Sequence, residues 1–348
     1  MDRSPLLHVS PASAAFSAGL ANCCYVSKSG SDTTGTRGSI AKPFLTIAAA
    51  MAASQSGDVI MLGPGRWVEN VTLLENRSIV GSGSRATEIN GTLAQTPGAT
   101  SDNNFVTLAA FRLTGAATVT LTAKTGGDNL FSLNDLILEQ TLTLTRATNG
   151  KKEVYLDGVI VGSTLTSNFG KISAFGCEIA ALALTSGGGG EHWRFKGCSF
   201  VSVTITSAQG NSRFTGCTIT TALTHSDAYI GDSLLWTVGC ELIAAAITIH
   251  GGIWYEYGCT FDQSQIAGAS GNKRVSSQII AMQTYANGTT VVTLPVALGS
   301  TDYVVTVEYN SASGVHGCYV ADKTGTGFKI INPNDAEELT LMVHYRKQ

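Results

Sequence analysis

The chain has 348 residues, 43% of them hydrophobic, and a formal net charge of -3 from 22 Lys and Arg against 25 Asp and Glu. That length holds two domains or one elongated repeat body with a sizeable core. With only 14% charged residues there is no basic stripe to neutralise phosphates, which excludes nucleic acid as an expected partner, and no apolar run reaches the length of a membrane span.

Residues 1–24 are mildly apolar, but His8, Ser10, Pro11 and Ser13 interrupt them and Arg3 is the sole basic residue at the start. They are expected to form an attachment or flexible segment rather than a cleaved signal peptide. From Tyr25 the chain reads Tyr25-Val26-Ser27, then Gly30-Ser31-Asp32, then Lys42-Pro43-Phe44-Leu45-Thr46-Ile47, then Gly57-Asp58-Val59-Ile60-Met61-Leu62-Gly63-Pro64-Gly65-Arg66-Trp67. Phe44, Ile47, Ala48 and Met51 share one helical face, so a short amphipathic helix is expected here, with Gly57-Asp58 ending it before a buried strand. These residues resemble the opening segment of pectin-lyase-like right-handed β-helix proteins. The resemblance spans about 45 residues and implies a helix that covers the first coil and suppresses end-to-end association. It implies nothing about activity, because that opening serves lyases, hydrolases and inert spikes alike.

Gly81-Ser82-Gly83-Ser84-Arg85-Ala86 matches a dinucleotide-binding spelling, but Thr87 to Gly91 reads as strand and turn rather than a helix able to hold a pyrophosphate. No cofactor is expected. Between Phe131 and Phe261 one phrase recurs, Gly-Cys followed by an apolar residue two positions on: Cys177, Cys198, Cys217, Cys240 and Cys259, at steps of 21, 19, 23 and 19 residues. Asn134-Asp135-Leu136 and Asp157-Gly158-Val159 are degenerate copies. A unit of that length is a solenoid coil. The five cysteines are expected to stack as a reduced, buried ladder, because parallel side chains at strand spacing fit neither a disulfide dihedral nor a tetrahedral metal site. Cys23, Cys24 and Cys318 lie outside that ladder.

Short Thr-alternating segments, such as Thr141 to Thr145 and Val203 to Ser207, fall between the Gly-Cys phrases, so each coil carries at least two strands. Three residues before each repeat Gly lie Tyr155, Ser173, Arg194, Arg213, Trp236 and Tyr255, flanked by apolar residues. That column is expected to face outward and to place Arg194, Arg213, Trp236 and Tyr255, extended by Tyr257, in an exposed stripe that needs a partner. The partner is either a neighbouring subunit or a glycan. Glu256 falls on the inward column, through either a register slip or an opening of the core.

Catalytic carboxylates are scattered. Glu178 and Glu241 share a column three coils apart, about 14 Å at strand spacing, too far for either glycosidase geometry. Asp157 stands alone among the outward repeat positions, His225, Asp227 and Asp232 are expected in one loop, and Glu191-His192 in another after the Gly187 to Gly190 run. No catalytic or metal residues are named, and the chain is expected not to be an enzyme, with a polysaccharide-cleaving spike, lyase or glycoside hydrolase, as the runner-up.

Around Gly268 to Lys273 the repeat gives way to strands expected at Thr289 to Leu294, Tyr303 to Tyr309, Gly317 to Ala321, Gly327 to Ile331 and Leu339 to His344. Leu294-Pro295, Tyr303-Val304-Val305-Thr306-Val307 and Lys323-Thr324-Gly325-Thr326-Gly327-Phe328-Lys329-Ile330 resemble the distal β-sandwich of phage tail fibres, similar in outline to H-type lectins. The resemblance implies a trimeric tip, with His316 and Tyr319 near a strand edge as contact candidates. The expected organisation is an all-β chain: an attachment segment over 1–24, a right-handed parallel β-helix shaft over 25–272 and an antiparallel β-sandwich over 273–348. The expected role is a homotrimeric virion spike or tail-fibre-like protein that binds a host-surface glycan and joins another virion protein through its N-terminal segment. A purely structural capsid or tail component is the further alternative.

Overall fold

The computed structural model describes residues 22–95, 103–114, 119–122, 128–145, 152–185, 192–207, 211–227, 234–243, 246–250, 253–261, 266–268, 273–285, 288–293, 303–309, 319–332 and 337–347. Its body is a parallel β-helix whose coils each lay down three strands. The first face runs from Cys23–Val26 and Val59–Leu62 through Ser78–Val80, the first halves of Asn104–Thr114 and Asn129–Leu138, then Lys152–Asp157, Lys171–Phe175, His192–Lys196, Asn211–Thr215 and Leu234–Val238 to Ile253–Tyr257, each strand in parallel register with the next. The second face carries the residues after the Gly-Cys phrase, and the third the Thr-alternating segments.

The corner between the first two faces explains the repeat phrase. Gly158, Gly176, Gly197, Gly216, Gly239 and Gly258 all have φ between 57° and 61°. Ala110 and Asp135, at φ 59° and 48°, occupy the same corner in earlier coils, and Asp135 confirms the degenerate copy read at Asn134-Asp135-Leu136. This left-handed conformation suits glycine, which has no Cβ to clash. It turns the chain while keeping the ladder intact. The Gly216 N–H donates to the Val238 carbonyl one coil on at 2.8 Å, and the Thr218 N–H donates back to the Cys198 carbonyl at 3.0 Å.

The residue after each corner Gly points inward, Val159 after Gly158 and Cys after the other five. Cys177, Cys198, Cys217 and Cys240 are buried and Cys259 half-buried, and all are free thiols. Each Sγ donates to the carbonyl two residues earlier, from 3.3 Å at Cys177 to 3.7 Å at Cys259. Hydrogen bonding to the neighbouring thiol and burial push Cys198 up to about 12 and Cys217 and Cys240 up to about 11. Cys23 and Cys24 are also free and buried, on the first rung.

Inside, the inward columns of all three faces form one apolar cluster. Phe195 stacks on Phe214 at 4.9 Å, and Phe200 meets both edge-on. The buried Trp193 satisfies its indole N–H on the Phe169 carbonyl at 2.8 Å. Towards Ile253–Tyr257 the core turns polar. Glu256 is 4% exposed and in register with the fully buried Thr237, so the ladder does not slip there. Its carboxylate accepts the Cys259 N–H at 3.0 Å, while the Trp254 indole donates to Thr237 at 3.0 Å.

The helix spans Ile47–Ala53 against the first coils, with Ile47, Ala50 and Met51 buried. The expected helical face is corrected at one position. Ala48 is exposed and Ala50 takes its place, because Phe44 precedes the extended N-cap Thr46 and so does not share the helical phase. Thr46 accepts the Ala49 N–H, and Glu69 receives the Ile47 and Ala48 N–H groups at 3.0 Å each. Beneath it, Asp58 is 1% exposed and pairs with Arg37 at 2.5 Å. Gly81 to Ala86 forms the link between the strands Ser78–Val80 and Thr87–Asn90, both in the ladder.

At the far end the parallel ladder persists further than the repeat phrase. Ile266–Gly268 pairs with Ile247 to Ile249, and the start of Lys273–Tyr285 pairs with Ile253 to Tyr257. That strand then runs antiparallel to Glu337–Lys347, which in turn pairs with Tyr303–Tyr309. Gly288–Thr293, Gly327–Asn332 and Tyr319–Thr324 make a separate three-stranded antiparallel sheet. The end of the repeat expected around Gly268 to Lys273 is thus followed by one continuous 13-residue strand, Lys273–Tyr285, belonging to both the ladder and the antiparallel sheet.

Candidate functional site

Period-two alternation on the first face sends Trp193, Phe195, Ser212, Phe214 and Leu235 inward and the residues between them outward. In-phase stacking of the coils then aligns the outward positions. Ser173, Arg194, Arg213, Trp236 and Tyr255 are successive Cα partners. Tyr257 lies two residues along from Tyr255, opposite Val238. The stripe expected from the sequence therefore exists in register. Arg194 and Arg213 are exposed, Trp236, Tyr255 and Tyr257 half-buried, and Ser173 is buried.

The aromatic residues satisfy each other. Trp236 stacks on Tyr255 with centroids 4.1 Å apart and planes 12° apart, and also lies parallel to Tyr257 at 5.8 Å and 10°. The indole thus spans both phenol rings of the next coil. Trp236 also borders an outward groove of about 260 Å³, lined by His192, Arg194, Asn211, Arg213 and Leu234, with Trp193 at its floor.

No carboxylate lines the groove. Two coils before it, Glu153 accepts from Lys171 of the intervening coil at 2.8 Å and from the Tyr155 hydroxyl at 2.8 Å. The hydrogen bond to Glu153 holds the Lys171 ammonium above its ordinary value. Among the described residues no acidic side chain forms an ion pair with Arg194 or Arg213.

His192 was expected in a solvated loop; instead it opens the strand His192–Lys196 and lines the groove. Its place two residues before Arg194, on the same outward alternation, is the signal that identifies it. Asn211 and Leu234 follow the same rule before Arg213 and Trp236. Glu191 lies outside the described residues, as do His316, Asp232 and Cys318. Tyr319 begins a strand opposite Ile331 in the three-stranded sheet, apart from the sheet that bears the groove.

The expected loop at His225 is corrected to a strand. Thr218–Asp227 is continuous, and His225 is buried in register with Ile205 and Ile249. Leu223 and His225 alternate inward there, as apolar pairs do in the other coils. Glu178 and Glu241 are separated by Ser199 and Thr218 along one column, as expected. Among the described residues no group of three or more His, Cys, Asp or Glu is placed to hold a metal ion.

Fold and surface together define the class: an all-β, parallel β-helix chain with terminal antiparallel sheets and a cationic, aromatic-walled groove on one face. No protein-family model and no curated protein matches it. Among solved structures the chain is similar to "Geobacillus virus E2 - ORF18", at 15% identity and a TM-score of 0.40 over 92% of this chain and 76% of that one. Similarity at that level assigns neither family nor function.

Proposed function

We propose that this chain is a spike or tail-fibre-like component of a virion, a homotrimer whose β-helix shaft, residues 25–272, and C-terminal tip, residues 273–348, mediate attachment to a host-surface glycan. Residues 1–24 join it to another virion protein. The observation that carries the reading is the groove beside Trp236, where a rigidly backed indole meets hydrogen-bond donors from Arg194, Arg213, His192 and Asn211. Sugars are recognised by that combination of a flat apolar surface with fixed polar groups, each weak by itself. Three copies in one assembly convert weak contacts into avidity. The sequence resemblance of the last part of the chain to phage tail-fibre tips supports the virion setting.

A bacterial polysaccharide array probed with the full chain and with Trp236→Ala tests this. Binding that Trp236→Ala reduces at least tenfold supports the reading. Absence of binding by the unaltered trimer, or a monomeric mass in solution, overturns it. New reducing ends or unsaturated products would replace attachment with polysaccharide cleavage.

A further inference from the structure

We infer that the glycan is acidic, its anionic substituent seated between Arg194 and Arg213 while its ring lies along Trp236. This deepens the glycan-attachment reading and rests on it. Arg194 and Arg213 are direct Cα partners on adjacent coils, so their backbones stand about 4.8 Å apart. Two like charges held side by side repel, and a shared anion turns that repulsion into attraction. Lys196, exposed on the Arg194 strand, adds a further positive charge to the surroundings, and His192 borders the same groove with ring nitrogens for hydrogen bonding.

Arginine suits the task. Its planar fork of N–H donors matches carboxylate, sulfate and phosphate oxygens in pairs. The indole is fixed by Tyr255 and Tyr257, so a sugar ring stacking there meets a wall that costs little to order. Asn211, between the Arg194 and Trp236 rungs, adds a neutral donor and acceptor for a hydroxyl.

The second possible occupant is a carboxylate of a neighbouring copy. The groove lies open on the outer face of the sheet, a geometry that admits a saccharide chain along the rungs, and the mass of the assembly distinguishes the two occupants.

The test uses the full chain with galacturonate oligosaccharide, sulfated galactan and neutral galactan as probes, followed by calorimetry and Trp fluorescence, in low and high salt. The variants are Arg194→Gln, Arg213→Gln, Arg213→Lys and Trp236→Ala. All three sites are on the outer face, and unchanged melting curves verify folding. The expected result is binding of an acidic probe that weakens several-fold in high salt, falls about tenfold or more with either Gln variant, and is partly kept by Arg213→Lys. Carboxylated and sulfated probes separate the two anion sources. Equal binding of neutral galactan, insensitive to salt and to the Arg variants but lost in Trp236→Ala, overturns the acidic inference and leaves glycan attachment standing. No binding of any probe, with the Arg variants shifting the mass of the assembly, overturns both and assigns the groove to a subunit interface.

Discussion

The corner glycines permit a prediction with a worked magnitude. At Gly216, φ is +57° and an added Cβ meets nothing within 4 Å, so Gly216→Ala is penalised by backbone conformation alone. The left-handed conformation costs a non-glycine residue about 1–2 kcal/mol. The reduced entropy of the unfolded chain offsets about 0.4–1 kcal/mol of that, leaving a net loss of about 1 kcal/mol. Gly216→Asn loses less, since short polar side chains tolerate this region, as Asp135 does in its own corner. Gly81 is the contrast: its added Cβ lies 2.2 Å from the Ala110 carbonyl oxygen, a backbone atom that cannot swing away. Gly81→Ala is therefore expected to lose about 1–3 kcal/mol through overpacking. Urea unfolding followed by Trp fluorescence ranks the three. A neutral Gly216→Ala, an Asn variant weaker than the Ala variant, or a Gly81→Ala milder than Gly216→Ala would refute the reasoning.

Two further expectations concern the core and the cap. Arg37 beside Asp58 holds its carboxyl below the usual carboxylate range. A carboxyl depressed in the folded state contributes stability that is fully present above its unfolded value, about pH 3.9, and is lost as pH falls through its lower folded value. Arg37→Ala leaves the nearly inaccessible Asp58 without this partner, so it should lower stability at neutral pH and flatten the acid limb of stability against pH; an unchanged acid limb would count against the pair. The thiols pushed up at Cys198, Cys217 and Cys240 predict negligible reaction of these three with a disulfide reagent at neutral pH in the native chain and full reaction in denaturant. Rapid labelling of native Cys217 would show that the ladder opens.

Most of the first face was legible in the sequence because its corner is marked. A residue with positive φ is required there, glycine supplies it, and the buried position after it accepts a small apolar Cys. Counting back from that mark gave the outward column of Arg194, Arg213, Trp236 and Tyr255. The third face was harder to assign as a separate strand. Its junction with the second face varies from coil to coil, with register shifts between Val161 and Thr164 and between Phe200 and Ser202, and no glycine punctuates it consistently. His225 was misread for that reason. The groove itself was not legible at all. Period two tells which side chains face out, whereas a cavity depends on the gap left where His192, Asn211 and Leu234 meet the longer side chains beside them.

In-phase stacking also provides a criterion for which surface columns are complete. On the second face Arg66, Glu88 and Arg112 are successive partners; Arg66 pairs with Glu88 at 3.0 Å and Arg112 with Glu139, so charge alternates and each residue neutralises its neighbour. Flat rings are also complete at this spacing, as Trp236 on Tyr255 demonstrates. Adjacent Arg194 and Arg213 satisfy neither rule. Arg213→Glu converts that step into the alternating pattern, and a cross-strand pair of opposite charge is worth about 0.2–1 kcal/mol. The variant is therefore expected to be slightly more stable than the natural chain in urea unfolding while losing acidic-glycan binding entirely. An arginine pair that weakens the shaft yet is needed for binding serves the ligand. If Arg213→Glu instead destabilises the chain and leaves glycan binding intact, the arginine pair serves the shaft and not recognition.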